Sequence, residues 1–460
     1  MSKNNTFLSN SMYFITPQLS GKLIGIFTLP VLLFILDKST YGEIAFLLGI
    51  QQIVFTFVAN GSRQSVLKFF KNANETSRSK IVKNSLLQTF LRSGLLLIIV
   101  ILLNNFLSLN YSNTLLCIVF AGILLMSLES LYDSVMISTN LIRANSFSNI
   151  AKSIFSPILI IIMTYFSPQV VTYFLALCIV FGVKLAYSII VTDLNTEIGL
   201  ISIQKNEISK YSTNMMILNL NQKISKWSDR ILLGILISQD SLAEYHAVLQ
   251  LVLILEFITN GFVTSFKTQV FNSKNFEESK VEDLYQKLIF LIFLIGIIGS
   301  SLRFNLGTAI LEEEYWTILN YIPVLAFSVF LNSLFKLTSV LADKQTSFIN
   351  YKKISFTTTT VNVIFSAVGL YYFQINGLMV AIILTYSIKI FLLYKDSKFS
   401  KRPKFYNFRF AYWSVFFLLS ESVCYFIGNS GDVTVRWVFS LVALFFVAEG
   451  YINLRKYVYK

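Results

Sequence analysis

One apolar stretch of the sequence carries a row of basic side chains at helical spacing. Asn219, Lys223, Lys226 and Arg230 follow one another by four, three and four residues, which places them on one face of a helix. An ionisable side chain at the centre of a membrane helix costs roughly 2.5–3.5 kcal/mol, so such residues normally face an internal cavity or a partner. Three cations in one stripe favour an anionic ligand, and phosphate or pyrophosphate is a group that Lys and Arg bind with charge-assisted hydrogen bonds. Alternatively, Arg230 and its neighbour Asp229 pair with each other or with another helix.

Other apolar stretches carry further ionisable residues of both signs. The basic residues predicted to join this cationic binding site are Lys22, Arg92 and Lys336. The acidic residues that are candidates for coupling transport to a proton or a sodium ion are Glu129, Asp133, Asp229 and Glu256. Together the two sets predict coupled transport of an anionic substrate. Lys184 and Lys389 lie near the ends of their stretches, where the sequence favours side chains that snorkel to the lipid headgroups.

The sequence does not indicate cofactor chemistry. Its one His, His246, is interpreted as a packed or interfacial residue rather than a proton relay. Its three Cys, each inside an apolar stretch, cannot build a zinc site or a disulfide framework. A GxxxxGK[ST] loop and a soluble domain of useful size are both missing, so we expect no metal, no nucleotide and no other cofactor.

Composition predicts a membrane protein. Of the 460 residues, 55% are hydrophobic and 13% charged, against roughly 45–50% apolar and 25% charged in soluble domains. The apolar residues come in blocks long enough to cross a bilayer, which predicts an all-α polytopic protein with about fourteen spans. These are residues 14–36, 44–60, 86–108, 113–136, 149–166, 169–191, 214–238, 243–266, 286–303, 317–341, 354–373, 376–394, 410–428 and 433–451.

The distribution of basic residues orients these spans. The loops that follow the second and the twelfth span each contain six Lys and Arg residues, whereas the opposite side contains only Lys38 and Arg303. Because cytoplasmic loops are enriched in Lys and Arg, both termini are predicted to be cytoplasmic. Topology therefore explains the net charge of +14, and a nucleic-acid partner is not expected.

A repeat divides the predicted spans into two groups of six. At an offset of 201, residues 146, 147, 149, 152 and 155 fall on identical residue types at 347, 348, 350, 353 and 356. An even number of spans per repeat gives both halves the same orientation, with a cavity predicted between them. We therefore predict a first six-helix lobe over 1–213, a second over 214–394, and two additional helices with a cytoplasmic tail over 395–460.

Three stretches resemble the polysaccharide transporters of the MOP flippase superfamily, which include the Wzx O-antigen flippases. They are residues 27–50, FTLPVLLFILDKSTYGEIAFLLGI; residues 227–251, WSDRILLGILISQDSLAEYHAVLQL; and residues 312–388, which begin EEEYWTILNYIP. The second stretch matches the family's pattern at Asp229, Leu233, Gly234 and Tyr245, positions for which we expect structural roles.

This resemblance implies a transporter, not an enzyme, in the bacterial cytoplasmic (inner) membrane. Such a protein would move an undecaprenyl-pyrophosphate-linked oligosaccharide, for example the O-antigen unit of lipopolysaccharide, to the outer leaflet by alternating access of two lobes. A polysaccharide polymerase would be a natural partner. Many O-antigen flippases have twelve spans, and the additional pair here resembles the lipid II flippase branch, which is the first alternative. A multidrug antiporter is disfavoured by the basic stripe, and a membrane-embedded polymerase or glycosyltransferase by the short loops.

Overall fold

The computed structural model shows an all-helical chain. It describes residues 21, 24–25, 27–70, 75–107, 111–192, 205–272, 285, 288–289, 292, 307–308, 310–345 and 348–395, and these contain no strand. The helices are α1 (Lys38–Phe69), α2 (Glu75–Leu107), α3 (Asn113–Ser138), α4 (Ile142–Phe166), α5 (Val170–Thr192), α6 (Lys205–Leu236), α7 (Gln239–Asn272), α8 (Ile322–Gln345) and α9 (Phe348–Lys395). Residues 27–35 are also helical, and a 3-10 helix, Glu313–Tyr321, leads into α8.

Within the described residues, eight helices are long and apolar enough to cross a membrane. α2 shows how such a helix is arranged, since Ser85, Thr89 and Ser93 lie on its buried face while large apolar residues such as Leu91 and Leu95 are exposed. Small polar residues let membrane helices approach closely, and lipid solvates the apolar face. The predicted polytopic membrane architecture is therefore confirmed.

The total of fourteen spans remains a prediction. The last two predicted spans, 410–428 and 433–451, lie outside the described residues, as does most of the ninth, 286–303. The eleventh and twelfth are both present inside α9, which is interrupted at Gln374 by a φ of 52° and a ψ of −138°.

The chain divides into two compact units, Met1–Ala243 and Glu244–Lys460. In the first unit α1 is central and packs against α2, α3 and α6, while α5 packs against α3 and α4. α6, which the sequence assigns to the second lobe, thus packs within the first unit. The predicted lobe boundaries and the internal repeat remain predictions.

Glycines of α1 allow close contact with α6 and with the start of α7. A Cβ added to Gly42 would overlap the carbonyl of Gln239, the first residue of α7. A Cβ added to Gly61 would lie 2.6 Å from Ser212 Oγ on α6 and 2.7 Å from its carbonyl oxygen. At these two positions the backbones come too close for any side chain. Gly49 lies between them, where a Cβ would make ordinary contact with the side chains of Ile231 and Trp227.

The second unit has its own apolar core. Phe266, Phe330, Phe335 and Leu393 are among the buried residues of this cluster, to which α7, α8 and α9 contribute. α9 reverses direction at Gln374, because the backbones of Gly369 and Gly377 on either side are in direct contact. The two arms, 348–373 and 375–395, therefore form an antiparallel pair that packs against α8.

Candidate functional site

The basic row on α6 begins with a lysine that is held by a neutral side chain. Lys223 Nζ donates a hydrogen bond to Gln52 Oε1 on α1 at 3.0 Å. Lys223 and Asn219 are half-buried, whereas Lys226 is exposed. At this contact the Lys223 ammonium therefore meets a neutral amide oxygen and not a carboxylate.

Arg230 ends the row in a buried position against an aromatic ring. It is 3% exposed, and its guanidinium carbon lies 3.8 Å from the centre of the Trp227 ring. Its Nε and Nη1 have no hydrogen-bond partner among the described residues. The neighbouring Asp229 carboxylate accepts a hydrogen bond from the Arg230 backbone N–H at 2.8 Å.

The other predicted cationic residues of the first unit are less completely defined. Arg92 is half-buried on α2, and its Nη1 has no partner among the described residues. Lys22 lies outside the described residues. The cationic site of the sequence analysis therefore remains a prediction, with the α6 row as its best-defined part.

Two of the predicted ion-coupling carboxylates lie together in a charged cluster with two lysines. This α3–α5 charge cluster consists of Glu129 and Asp133 on α3, Asn149 and Lys152 on α4, and Lys184 on α5. Lys184 Nζ donates to Glu129 Oε1 at 2.6 Å and to Asp133 Oδ2 at 2.8 Å. It also donates to Asn149 Oδ1 at 2.8 Å. Lys152 Nζ donates to the same Glu129 oxygen at 2.6 Å.

Burial makes this cluster a closed arrangement of charges. The side chains of Lys184 and Glu129 are 3% and 4% exposed. Lys152 is more open and places its ammonium 4.7 Å from the centre of the Phe181 ring. The two carboxylates and the two ammonium groups have a formal charge of zero in total. Charges buried away from water need such neutralisation by partners. The prediction that Lys184 snorkels to the headgroups is therefore wrong.

A second, looser arrangement lies in the second unit. Lys336 Nζ on α8 donates to Asn260 Oδ1 on α7 at 2.8 Å and lies 3.6 Å from Glu256 Oε1. The Lys336 side chain is 33% exposed. Lys389, which the sequence also assigned to the headgroup region, lies 4.9 Å above the Tyr386 ring on α9. Lys336, predicted to bind the anionic substrate, and Glu256, predicted to couple transport to an ion, are thus neighbours.

The residues that carry the family resemblance occupy packed positions. Leu233 and Tyr245 are fully buried. A Cβ on Gly234 would lie 2.8 Å from Phe46 Cδ2 and 3.1 Å from Leu242 Cδ2. These three residues are thus packed, and the structural role expected for them stays a prediction. His246, also buried, lies with its Nε2 3.0 Å from Gln250 Nε2, as expected for a packed histidine.

Sequence reasoning missed several members of these groups. Lys152, Asn149 and Gln52 were not considered for any site, although Asn149 and Lys152 are spaced by three on a predicted span. That spacing is a usable signal for one helix face. The sequence contains no signal that joins these two residues to Glu129 or Lys184, because the contacts come from packing between helices.

The fold defines the class of protein. The chain is similar to the lipid II flippase MurJ in its inward closed conformation, with a TM-score of 0.74, 13% identity, and coverage of 97% of this chain and 99% of that one. It is similar to an inward-facing multidrug resistance MATE family transporter of the MOP superfamily, with a TM-score of 0.62, 13% identity, and coverage of 84% and 96%. It is also similar to a MOP superfamily transporter from Pyrococcus furiosus, described as having a binding pocket of reverse polarity. That comparison has a TM-score of 0.53 and 12% identity, and it covers 85% of this chain and 95% of that one. Such identities show the fold alone, which is that of a MOP-type polytopic transporter.

Sequence comparison identifies the family. The model of the family described as polysaccharide biosynthesis protein matches residues 7–266, more than half of the chain. The chain therefore belongs to the polysaccharide biosynthesis protein family. No curated protein matches the sequence. The solved structures to which the chain is similar are a flippase and transporters.

Proposed function

We propose that this transporter moves undecaprenyl-pyrophosphate-linked oligosaccharide units from the inner to the outer leaflet of a bacterial cytoplasmic membrane. In this proposal it works by alternating access, with both termini in the cytoplasm, and it delivers its product to a polysaccharide polymerase. The pyrophosphate is bound by the basic row on α6. The family and the transporter fold support this proposal.

The observation that carries the proposal is the lack of a carboxylate at the described contacts of two cations on α6. Lys223 is bound to the amide of Gln52, and Arg230 lies against the ring of Trp227. A buried cation that is not paired costs several kcal/mol, so such groups favour an anion. A pyrophosphate supplies several acceptor oxygens to Arg and Lys at once. Lys184 and Lys152 differ, because carboxylates already neutralise them.

The experiment is complementation of a deletion strain, with surface polysaccharide and lipid-linked intermediates as the readouts. Wild type, Lys223→Ala/Lys226→Ala and Lys223→Glu are compared at matched protein levels in the membrane. We expect wild type to restore the polymer, and both variants to leave lipid-linked units on the cytoplasmic side. Lys210→Ala is the matched control, since Lys210 is an exposed lysine on the same helix. Normal polymer in the charge-reversed variant would exclude the α6 row as the pyrophosphate site.

A second candidate is transport of lipid II, the peptidoglycan precursor. It is favoured by the similarity to MurJ over 97% of this chain, compared with 84% for the MATE transporter. Both substrates join a polyprenyl pyrophosphate to a sugar, so one cationic row suits both. The deletion strain separates them, because loss of lipid II transport blocks cell-wall synthesis and leaves other surface polysaccharides without a specific defect. A multidrug antiporter is the third candidate, and a row of cations would repel the cationic drugs expected as its substrates.

Ion coupling is also part of the proposal. Its candidates are Glu129, Asp133, Asp229 and Glu256, and the driving ion is a proton or sodium. Vesicle transport assays with an imposed proton or sodium gradient test this directly. Transport that is equally fast without either gradient would remove ion coupling from the mechanism.

A further inference from the structure

We propose that the Lys184 ammonium is a built-in monovalent cation, which occupies the position between Glu129, Asp133 and Asn149 that a sodium ion would otherwise take. Two consequences follow. The α3–α5 charge cluster binds no sodium in the wild-type protein, and removal of the Lys184 ammonium converts it into a sodium site. The inference narrows the proposed ion coupling, because it removes Glu129 and Asp133 as sodium-binding residues of the wild-type protein. Its test does not depend on that coupling.

The first step of the argument is the coordination of the ammonium group. An ammonium group has three N–H donors. Lys184 Nζ has three oxygen partners at hydrogen-bond distance, from Glu129, Asp133 and Asn149, at 2.6 to 2.8 Å. Every donor is therefore used, and the oxygens come from carboxylates and an amide. These are the ligand types that hard cations prefer in proteins.

The second step is the charge balance. With Lys184 in place, two carboxylates face two ammonium groups. Without it, Lys152 alone remains against Glu129 and Asp133, and its described carboxylate contact is with Glu129 only. The cluster would then have one excess negative charge in a buried location, a condition that favours uptake of a cation.

The third step concerns the oxygens that are still available. Glu129 Oε2 and Asp133 Oδ1 are buried and have no hydrogen-bond partner among the described residues. A cation that replaced the ammonium would have these oxygens as well as the three that hold Lys184. An engineered site with up to five oxygens from three residues approaches the six ligands that hard cations commonly take.

The fourth step is the contrast with the second unit. Lys336 also lies near a carboxylate and an amide, yet its side chain is 33% exposed and the Glu256 oxygen is 3.6 Å away. Lys336 is accessible to an incoming group, whereas Lys184 is enclosed. Of these two described lysines, Lys184 alone has the geometry of a permanently bound cation.

The test measures sodium binding to the purified full-length protein and does not require transport. Thermal unfolding of wild type, Lys184→Ala and Lys184→Ala/Glu129→Gln is followed in sodium chloride and in choline chloride at equal ionic strength. We expect Lys184→Ala to gain saturable stabilisation by sodium. At a sodium concentration tenfold above the dissociation constant, the folding equilibrium should rise about elevenfold. Wild type should not respond through this cluster, and the double variant should lose the gained response.

Two controls keep the result interpretable. Lys152→Ala should gain much less stabilisation by sodium than Lys184→Ala. The reason is that Lys152 is partly exposed and its described carboxylate contact is with Glu129 alone. If Lys184→Ala is poorly folded in choline, stability restored by sodium or by methylammonium supports the inference, since either cation would supply the missing charge. Absence of restoration by both cations would overturn it. A sodium response in wild type that Glu129→Gln abolishes would overturn it as well. Neither outcome would bear on the polysaccharide readout of the deletion strain.

Discussion

The ammonium nitrogen of Lys184 lies 2.6 Å from Glu129 Oε1, with both side chains almost completely buried. Removing one partner of such a pair leaves a buried charge without compensation, which typically costs about 3–5 kcal/mol. Lys184→Met should therefore lower the free energy of unfolding by an amount of that order. Lys152→Met should cost less, because the Lys152 side chain is 25% exposed.

A double-mutant cycle checks this pair. Glu129→Gln/Lys184→Met should be less destabilised than the sum of the single variants, since the double variant no longer buries an unpaired charge. Thermal or denaturant unfolding in detergent measures all four proteins. Strict additivity would show that the two side chains do not stabilise each other.

The contact of Gly61 on α1 with Ser212 on α6 should be intolerant of any side chain. Gly61→Val would place new atoms against the Ser212 backbone, and overpacking of this kind typically costs about 1–3 kcal/mol. Gly94→Ala on α2 is the matched control, because a Cβ there meets nothing within 4 Å. It should raise stability by about 0.4–1 kcal/mol through the lower entropy of the unfolded chain. Unfolding midpoints of the two variants should move in opposite directions, and equal shifts would contradict the close packing of α1 and α6.

The helix positions could be predicted from sequence on one side of the membrane much better than on the other. Predicted span 113–136 and observed α3, Asn113–Ser138, begin at the same residue on the predicted outer side. On the predicted cytoplasmic side, α1 continues to Phe69 although its predicted span ends at 60, and α6 begins at Lys205 rather than 214. Hydropathy detects the part of a helix that lipid surrounds. It does not detect a helix that continues into water with polar residues.

The candidate site was predictable to a smaller extent. Spacing by four and three residues correctly places Lys223 beside the interior of the first unit, because periodicity is a local property. The partner of each charge was not predictable, since Lys184 meets Glu129 across 55 residues of sequence. A lysine near the end of a span has two ways to satisfy its charge, by snorkelling or by an ion pair, and only packing decides between them.

Replacement of Gln374 by glycine should make the protein more stable. Its φ of 52° and ψ of −138° lie in a region that is essentially restricted to glycine, and such residues carry roughly 1–3 kcal/mol of strain. Gln374→Gly should therefore raise the unfolding midpoint. Asn140, with a φ of 63°, is the control, because Asn tolerates the left-handed region and Asn140→Gly should gain less. A loss of stability in Gln374→Gly would indicate that the side chain contributes more than the strain costs.

Asp37 should stabilise the start of α1 in a manner that depends on pH. Its Oδ2 accepts a hydrogen bond from the Thr40 N–H at 3.1 Å, and hydrogen bonding by Thr40 lowers the pKa of Asp37 below its ordinary value. A folded-state pKa below the unfolded value of about 3.9 means that the stabilisation is fully present above that pH. It is lost as the pH falls through the folded-state pKa.

The Asp37 variants separate the hydrogen bond from the charge. Asp37→Ala should cost about 0.5–2 kcal/mol at pH 7, as is usual for loss of an N-cap residue. Asp37→Asn should retain most of the stability and should flatten the dependence of the unfolding midpoint on pH below about 4. An unchanged acid profile in Asp37→Asn would assign the acid sensitivity to other carboxylates.

Arg230 allows the charge of the α6 row to be separated from its shape. Its guanidinium carbon lies 3.8 Å from the centre of the Trp227 ring, an interaction worth about 0.5–2 kcal/mol that lysine reproduces poorly. If the positive charge binds the substrate's anion, Arg230→Lys should retain transport within about tenfold. Arg230→Met should lose about 10- to 100-fold, which corresponds to a hydrogen bond with a charged group worth about 1.5–3 kcal/mol. The measurement is the rate of polysaccharide export at equal protein levels, with Trp227→Phe as the control that retains a ring beneath the cation. If Arg230→Met exports as well as wild type while Trp227→Phe does not, Arg230 belongs to the packing of α6 and not to the anion site.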